Sequence, residues 1–248
     1  MKPIKIERGA QRGNWDRGFA VEILHPGLRL NAGDSGIGAI GRIDRARIQP
    51  GHVIGMHPHR DDEILTYARA GTTLHRDSMG KEEAVTNTRL MMMNAGHTFQ
   101  HEEEMLGPEP TEALQIFLRP RAPDLEPKVQ FHDFGEIASR DAWRLIAAPE
   151  GAPLKVRAQA WVQDAHLSAG TTIALPAPQA PGIVRLVYAV TGDVRVDDVT
   201  LAPGESVYLD DGEWTVTAKS ESDVVLFTTD PAAPVYKGGM FSGDVRAA

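Results

Sequence analysis

The sequence predicts an all-β protein of two stacked antiparallel barrels of the jelly-roll type, joined by a short connector helix. Three observations predict it. Gly (24) and Pro (17) recur as punctuation between short runs of β-branched and apolar residues, the spacing of a sandwich or barrel rather than of helices. Apolar and polar residues alternate at 194–201, 206–209, 214–218 and 224–228, and turn clusters such as Thr191-Gly192-Asp193, Pro203-Gly204 and Asp211-Gly212 bound these strands. Finally, Leu65-Thr66-Tyr67-Ala68-Arg69-Ala70-Gly71 returns 121 residues later as Leu186-Val187-Tyr188-Ala189-Val190-Thr191-Gly192, identical at four of seven positions.

Downstream, Met93-Asn94-Ala95-Gly96 falls over Leu209-Asp210-Asp211-Gly212 at an offset of 116, so two copies of one unit fit the chain. The first barrel is assigned to residues 1–130 and the second to residues 131–248, with its strands at about 145–235. Between them lie a Pro-rich stretch at 120–127 and the best helix candidate, residues 135–145.

Composition removes several function classes. With no cysteine among 248 residues, disulfides, thiolate nucleophiles, zinc fingers and Cys-ligated iron–sulfur clusters are excluded. A net charge of −8 without a basic block makes nucleic acid an unexpected direct partner. Residues 1–16 have no apolar signal core and no run of 18 apolar residues occurs anywhere, so a cytoplasmic protein with no membrane partner is expected. There is no Gly-rich phosphate loop, nucleophile elbow or dinucleotide fingerprint.

The residues that carry chemistry are His57-Pro58-His59 and, 42 residues after His59, His101-Glu102-Glu103. On a strand, alternate side chains share a face, so His57 and His59 project together, as do His101 and Glu103. Two adjacent strands then aim three imidazoles and one carboxylate at one point. Nitrogen and oxygen ligands without thiolate suit divalent iron, manganese, cobalt, nickel or copper, and four protein ligands leave two positions of an octahedron open. Glu102 and Glu104 have the opposite parity and read as a solvated face, and with Glu109 and Glu112 they suggest an acidic rim. His97 reads as structural, and Asp77-Ser78-Met79-Gly80 as a hairpin turn that His75 enters.

The stretch 51–105 contains His57-Pro58-His59-Arg60-Asp61-Asp62-Glu63, Tyr67, His75-Arg76-Asp77-Ser78-Met79-Gly80, Asn94-Ala95-Gly96 and His101-Glu102-Glu103. It resembles the pirin family of the cupin superfamily, over about residues 50–120, and the chain length suits a bicupin. Among relatives it is most similar to bacterial pirin-like proteins described as quercetin 2,3-dioxygenases. That resemblance implies His57, His59, His101 and Glu103 as ligands of one metal, Fe(II) foremost, with Mn, Ni, Co and Cu as alternatives. It implies Glu103 as the catalytic base, and it places Glu63 outside the ligand set.

Two departures from the pattern stand out. Asn87-Thr88 replaces a usual Pro-Gly turn, where Asn tolerates a left-handed conformation. Met91-Met92-Met93 replaces an aromatic, either as core packing or as an adaptable thioether wall. The repeat offsets carry the four ligand positions to Pro178, Ala180, Thr217 and Lys219. None is a ligand, and His166 is alone in the second unit, which therefore reads as a degenerate barrel covering the first.

Two functions follow. The first is a metal-dependent dioxygenase that chelates a flavonol or similar enol-ketone and adds O₂, with Glu103 accepting the enol proton. The alternative is a non-enzymatic, metal-binding regulator of the pirin type with a protein partner.

Overall fold

The structure, a computed structural model, describes residues 2–30 and 33–246. Twelve strands precede residue 134: β1 (Ile4–Ile6), β2 (Ala10–Asn14), β3 (Phe19–Leu24), β4 (Ile40–Ile48), β5 (Val53–His59), β6 (Glu63–Ala70), β7 (Thr72–Asp77), β8 (Glu82–Thr86), β9 (Arg89–Asn94), β10 (Phe99–Leu106), β11 (Thr111–Leu118) and β12 (Lys128–Asp133). Ten follow: β13 (Arg144–Ala148), β14 (Leu154–Lys155), β15 (Ala160–Leu167), β16 (Thr172–Ala174), β17 (Val184–Thr191), β18 (Val194–Val196), β19 (Val199–Leu201), β20 (Ser206–Leu209), β21 (Thr215–Ala218) and β22 (Ser222–Thr229).

Each unit is a sandwich of a seven-stranded and a four-stranded sheet. The first has the orders β12-β9-β6-β11-β4-β3-β2 and β5-β10-β7-β8, the second β1-β20-β17-β22-β15-β13-β14 and β16-β21-β18-β19. The repeat read from the sequence is therefore real: β6 and β17 are central strands of equivalent sheets, one offset apart. The sheets face each other without closing into hydrogen-bonded barrels, since β5 and β8 stay at the edges of their sheet.

Burial follows from this layering. The strand β10 alternates between buried and half-exposed positions, the pattern of a sheet with one wet face. The strand β22 is buried at every residue because its sheet is covered on both sides. Leu65, Tyr67, Met92, Leu114 and Ile116 of the first unit pack against Val162, Leu186, Tyr188, Val225 and Phe227 of the second in one shared core. Side chains of opposite parity, such as Ile64, Met93, Phe99 and Phe117, fill the space between the first unit's own sheets.

The units also exchange strands. The strand β1, which precedes the first unit, completes the second unit's large sheet by pairing with β20. The strand β12, which precedes the second unit, completes the first unit's large sheet by pairing with β9. After β22 the chain returns to the first unit, where the Asp62 carboxylate accepts hydrogen bonds from the Phe241 and Ser242 backbone N–H groups at 3.1 and 2.8 Å.

Three local expectations are corrected. No helix forms over residues 135–145, since left-handed Gly135 (φ 72°) and Asp141 (φ 53°) interrupt it. Its carbonyls find side-chain donors instead, as Arg144 donates to Glu136 O at 2.7 Å and Ile137 O at 2.9 Å, and Arg69 of β6 to Ile137 O at 3.2 Å. The run 194–201 is a hairpin, β18 and β19, because Asp197 adopts φ 49°. The turn at Asn87-Thr88 needs no left-handed residue, because the Thr86 hydroxyl accepts from Arg89 N–H at 3.1 Å. No helix among the described residues is long and apolar enough to cross a membrane.

Candidate metal centre

Antiparallel pairing of β10 with β5 sets His101 directly across from His57 and Phe99 across from His59. The ligating nitrogens of His57, His59 and His101 lie within 4.8 Å of one another, and the facing Nε2 atoms of His59 and His101 are 3.1 Å apart. His59 and His101 are buried, while His57 is half-buried at the cavity mouth.

The second ring nitrogens fix how these imidazoles present themselves. His57 Nδ1 is 2.9 Å from the Gly55 carbonyl, to which it donates, leaving Nε2 with its lone pair. Behind His101 stands a relay. Asp77 Oδ2 is 2.8 Å from His75 Nε2, and His75 Nδ1 is 3.3 Å from His101 Nδ1. The carboxylate accepts from His75 Nε2–H, so His75 Nδ1 accepts from His101 Nδ1–H and the lone pair of His101 Nε2 points into the site. His59 Nδ1 is buried with no hydrogen-bond partner, and its nearest acid, Asp62 Oδ2, is 3.8 Å away.

Burial, reinforced by His59, His57 and His75, pushes His101 down to about 2. Burial likewise lowers His57 and His75. Neutral imidazoles with convergent lone pairs are what a divalent cation requires, and the donor set fits one.

Glu103 lies two residues beyond His101 on the far side of a β-bulge, so that it pairs with Ile54. It is buried and outside the three-histidine group. Gln115 Nε2 donates to both its oxygens, at 3.1 and 3.2 Å. Burial, opposed by Gln115, raises its carboxyl to about 7. A cavity of about 170 Å³ joins it to His57, His59, Phe117, Phe241 and Arg42. Arg42 donates to the buried Asp44 at 2.7 Å.

Glu63, His97, Glu102 and Glu104 all stand apart from the three histidines. Glu63 is away from the histidines, held by Asn94 and by Arg157 Nε at 2.7 Å. His97 faces Glu126 at 3.6 Å on the surface. Glu102 and Glu104 face outward and pair with Arg76, so they do not rim the cavity. Met91, Met92 and Met93 are core residues and none lines the cavity, which settles the methionine run as packing. His166 bonds Asp223 at 2.9 Å, and the three-histidine group is the one metal-competent cluster among the described residues.

Four contributors were not read from the sequence: His75, Asp77, Asp62 and Phe241. The first two carry a usable signal, since His75-Arg76-Asp77 has the same alternating spacing as His57-Pro58-His59. Phe241 carries none, because it reaches the site from the far end of the chain, with its ring 5.0 Å from that of His59.

Two family models match the chain: "Pirin" at residues 36–118 and "Quercetinase C-terminal cupin domain" at residues 145–228. A "Pirin-like protein" of Caulobacter vibrioides is 30% identical over 176 residues, covering 68% of this chain and 74% of that one. A "Quercetin 2,3-dioxygenase" of Escherichia coli is 28% identical over 240 residues, covering 92% and 99%. The crystal structure of the bacterial pirin YhhW from Escherichia coli in complex with nickel(II) superposes with a TM-score of 0.79 at 23% identity, covering 93% of this chain and 100% of that one. With its two units, its histidine site in the first and these matches along most of its length, the chain belongs to the pirin family of bicupins.

Proposed function

We propose that the protein is a metal-dependent dioxygenase of the quercetinase kind, taking a flavonol or similar enol-ketone together with O₂. The observation that carries this reading is the convergence of the His57, His59 and His101 imidazoles at an aromatic-lined cavity, which His57, His59 and the buried Glu103 carboxyl line. His57, His59 and His101 would hold one divalent transition metal, with Glu103 as fourth ligand. Fe(II) heads the candidates, with Mn, Ni, Co and Cu behind it, and the nickel(II) complex of the Escherichia coli relative supports a divalent transition metal. When bound, the metal supplies Lewis acidity toward the enol oxygen and an electron path to dioxygen.

The chain's own residues do the rest. A Glu103 carboxylate oxygen accepts the enol proton, and its position on the wall of the cavity that His57 and His59 also line puts it where that proton is released. Gln115 holds both Glu103 oxygens and so fixes the direction of transfer. Phe117 and Phe241 flank the site with ring centroids 5.3 Å apart and offer flat apolar faces to a planar substrate while excluding water. The second unit, residues 131–248, carries no metal in this reading and supplies Phe241.

The test is oxygen uptake with quercetin, on protein reconstituted separately with Fe²⁺, Mn²⁺, Ni²⁺, Co²⁺ and Cu²⁺. Uptake that depends on the metal and is lost in Glu103→Gln is the expected result. Stoichiometric metal binding without uptake for any ion would move the reading to a metal-binding regulator.

A further inference from the structure

One buried nitrogen beside the three-histidine group lacks a partner. The His59 ring is 3% exposed, and its Nδ1 makes no hydrogen bond. Its Nε2 stands 3.1 Å from His101 Nε2. Because His101 keeps its own proton on Nδ1, toward His75, the proton between the two Nε2 atoms in the metal-free protein belongs to His59. His59 Nδ1 is then a bare lone pair, and at 3.8 Å it faces another acceptor, Asp62 Oδ2.

Asp62 is fully buried, and His59 is its one ion-pair partner among the described residues. A carboxylate so placed is costly without a positive charge nearby. Its carrier is rigid: in the turn after β5, Asp61 N–H donates to Gly96 O and Ala95 N–H to Asp62 O, each at 2.8 Å. The two carboxylate oxygens differ in their work. Oδ1 accepts from Ser242 N–H at 2.8 Å and from Phe241 N–H at 3.1 Å, whereas Oδ2 shares the Phe241 bond and faces His59. The segment held in this way lays the Phe241 ring 5.0 Å from that of His59, and its Met240 N–H donates to Arg60 O at 3.0 Å.

Resting on the reading that His59 ligates a divalent metal, we infer that Asp62 is a positioning residue that links metal occupancy to the docking of the C-terminal segment. Ligation needs the Nε2 lone pair, so the ring gives up its Nε2 proton and takes one at Nδ1, neutral before and after. The lone pair facing Asp62 becomes an N–H donor, and a repelling contact becomes an attractive one. Oδ2 has a lone pair to spare, so this bond adds to those that hold Phe241 and Ser242. The link is reciprocal: whatever the metal adds to the docking of the segment, the docked segment returns as metal affinity.

Zinc, a diamagnetic probe, tests this on the full chain. Ring nitrogen-15 NMR is expected to find His59 protonated at Nε2 without zinc, with His57 and His101 protonated at Nδ1, and all three at Nδ1 once zinc is bound. Hydrogen exchange at the Phe241 and Ser242 amides should slow about tenfold on zinc binding, the scale of one hydrogen bond. Asp62→Asn separates positioning from anchoring. Its amide oxygen keeps the Oδ1 bonds to the segment, while its NH₂ donates to His59 Nδ1 and favours the metal-free tautomer. Zinc affinity should fall about 10–100-fold, zinc-free exchange at the two amides should match the wild type, and its slowing by zinc should vanish. A His59 proton already on Nδ1 before zinc is added, wild-type exchange unmoved by zinc, or Asp62→Asn binding zinc as tightly as the wild type would overturn the link and leave the metal-site reading standing. Zinc that shifts none of the three histidine rings would overturn both.

Discussion

His75 and His101 face each other through their Nδ1 atoms at 3.3 Å, in the interior of a sheet where neither ring meets solvent. One ring faces His57 and His59 and the other Asp77, so the tautomer of His101, a proposed ligand, is set by a residue outside the three-histidine group. Removing such an outer partner typically costs 10–100-fold in metal affinity. His75→Leu should lose about that much, measured by competition with a chelating dye, and His75→Asn, which keeps an acceptor, should recover part of it. Equal affinity in His75→Leu and wild type would remove the relay from the account.

Glu103 predicts a pH dependence with a definite sign. Burial raises its carboxyl from 4.5 to about 7 in the folded chain, so the metal-free folded state holds this proton more tightly than the unfolded state does. The Glu103 contribution to stability is full below pH 4.5 and is lost as pH rises toward 7, by up to about 3 kcal/mol. Metal-free Glu103→Gln should therefore gain on the wild type across that window in urea unfolding. Metal binding runs the other way, because the ligand must be deprotonated. Affinity for Ni²⁺ should climb through the same pH range in the wild type and stay flatter in the variant.

Arg157 and Glu63 join the two units through a 2.7 Å contact in which Glu63 is fully buried. Burial is the largest influence on Glu63 and raises its carboxyl, against the pull of Arg157. Arg157→Met leaves that carboxyl with Asn94 and the backbone N–H of residue 157 as donors and removes its one cationic partner. The expected loss is about 3–5 kcal/mol, and adding Glu63→Gln should restore part of it by removing the stranded charge. Urea unfolding of the single and double variants measures both. A double variant no more stable than Arg157→Met would show that the contact matters for packing rather than charge.

Gly41 is where the returning chain comes closest to the first sheet. A Cβ there would stand 2.3 Å from the Ser242 carbonyl oxygen and 2.7 Å from its Cα. Gly41→Ala should lift the C-terminal segment off the sheet, and hydrogen exchange at the Phe241 and Ser242 amides should accelerate while the β6 and β11 amides stay protected. Unchanged exchange at Phe241 would mean the segment is held by its other anchors alone.

The histidine site was legible because its geometry is local to strands. The parity of His57-Pro58-His59 and of His101-Glu102-Glu103 survives any twist of the sheet, and a single pairing of β5 with β10 brings the rings together. Glu103 was less so, since a bulge in β5 opposite His101 and Glu103 shifts the register, and its one sequence cue is Gly55 inside the strand. The repeat at Leu65 and Leu186 predicted equivalent central strands because both are buried on two faces and hold little freedom to vary. Residues 135–145 read as a helix on composition, yet Arg144 and, from β6, Arg69 take their carbonyls, the second a contact visible only once the chain has folded. Phe241 and Asp62 meet across 179 positions, a separation at which periodicity says nothing.

The crossed placement of β1 and β12 makes the two halves dependent on each other. A chain cut between β11 and β12 would yield two fragments, each missing the edge strand that the other holds. The first fragment would also lack the aromatic wall that Phe241 lends to its site. Neither fragment is a module that could be shuffled into another protein with its chemistry intact. Mixed together, however, the pieces present each other with open strand edges of matching register, and the complete protein becomes their preferred complex.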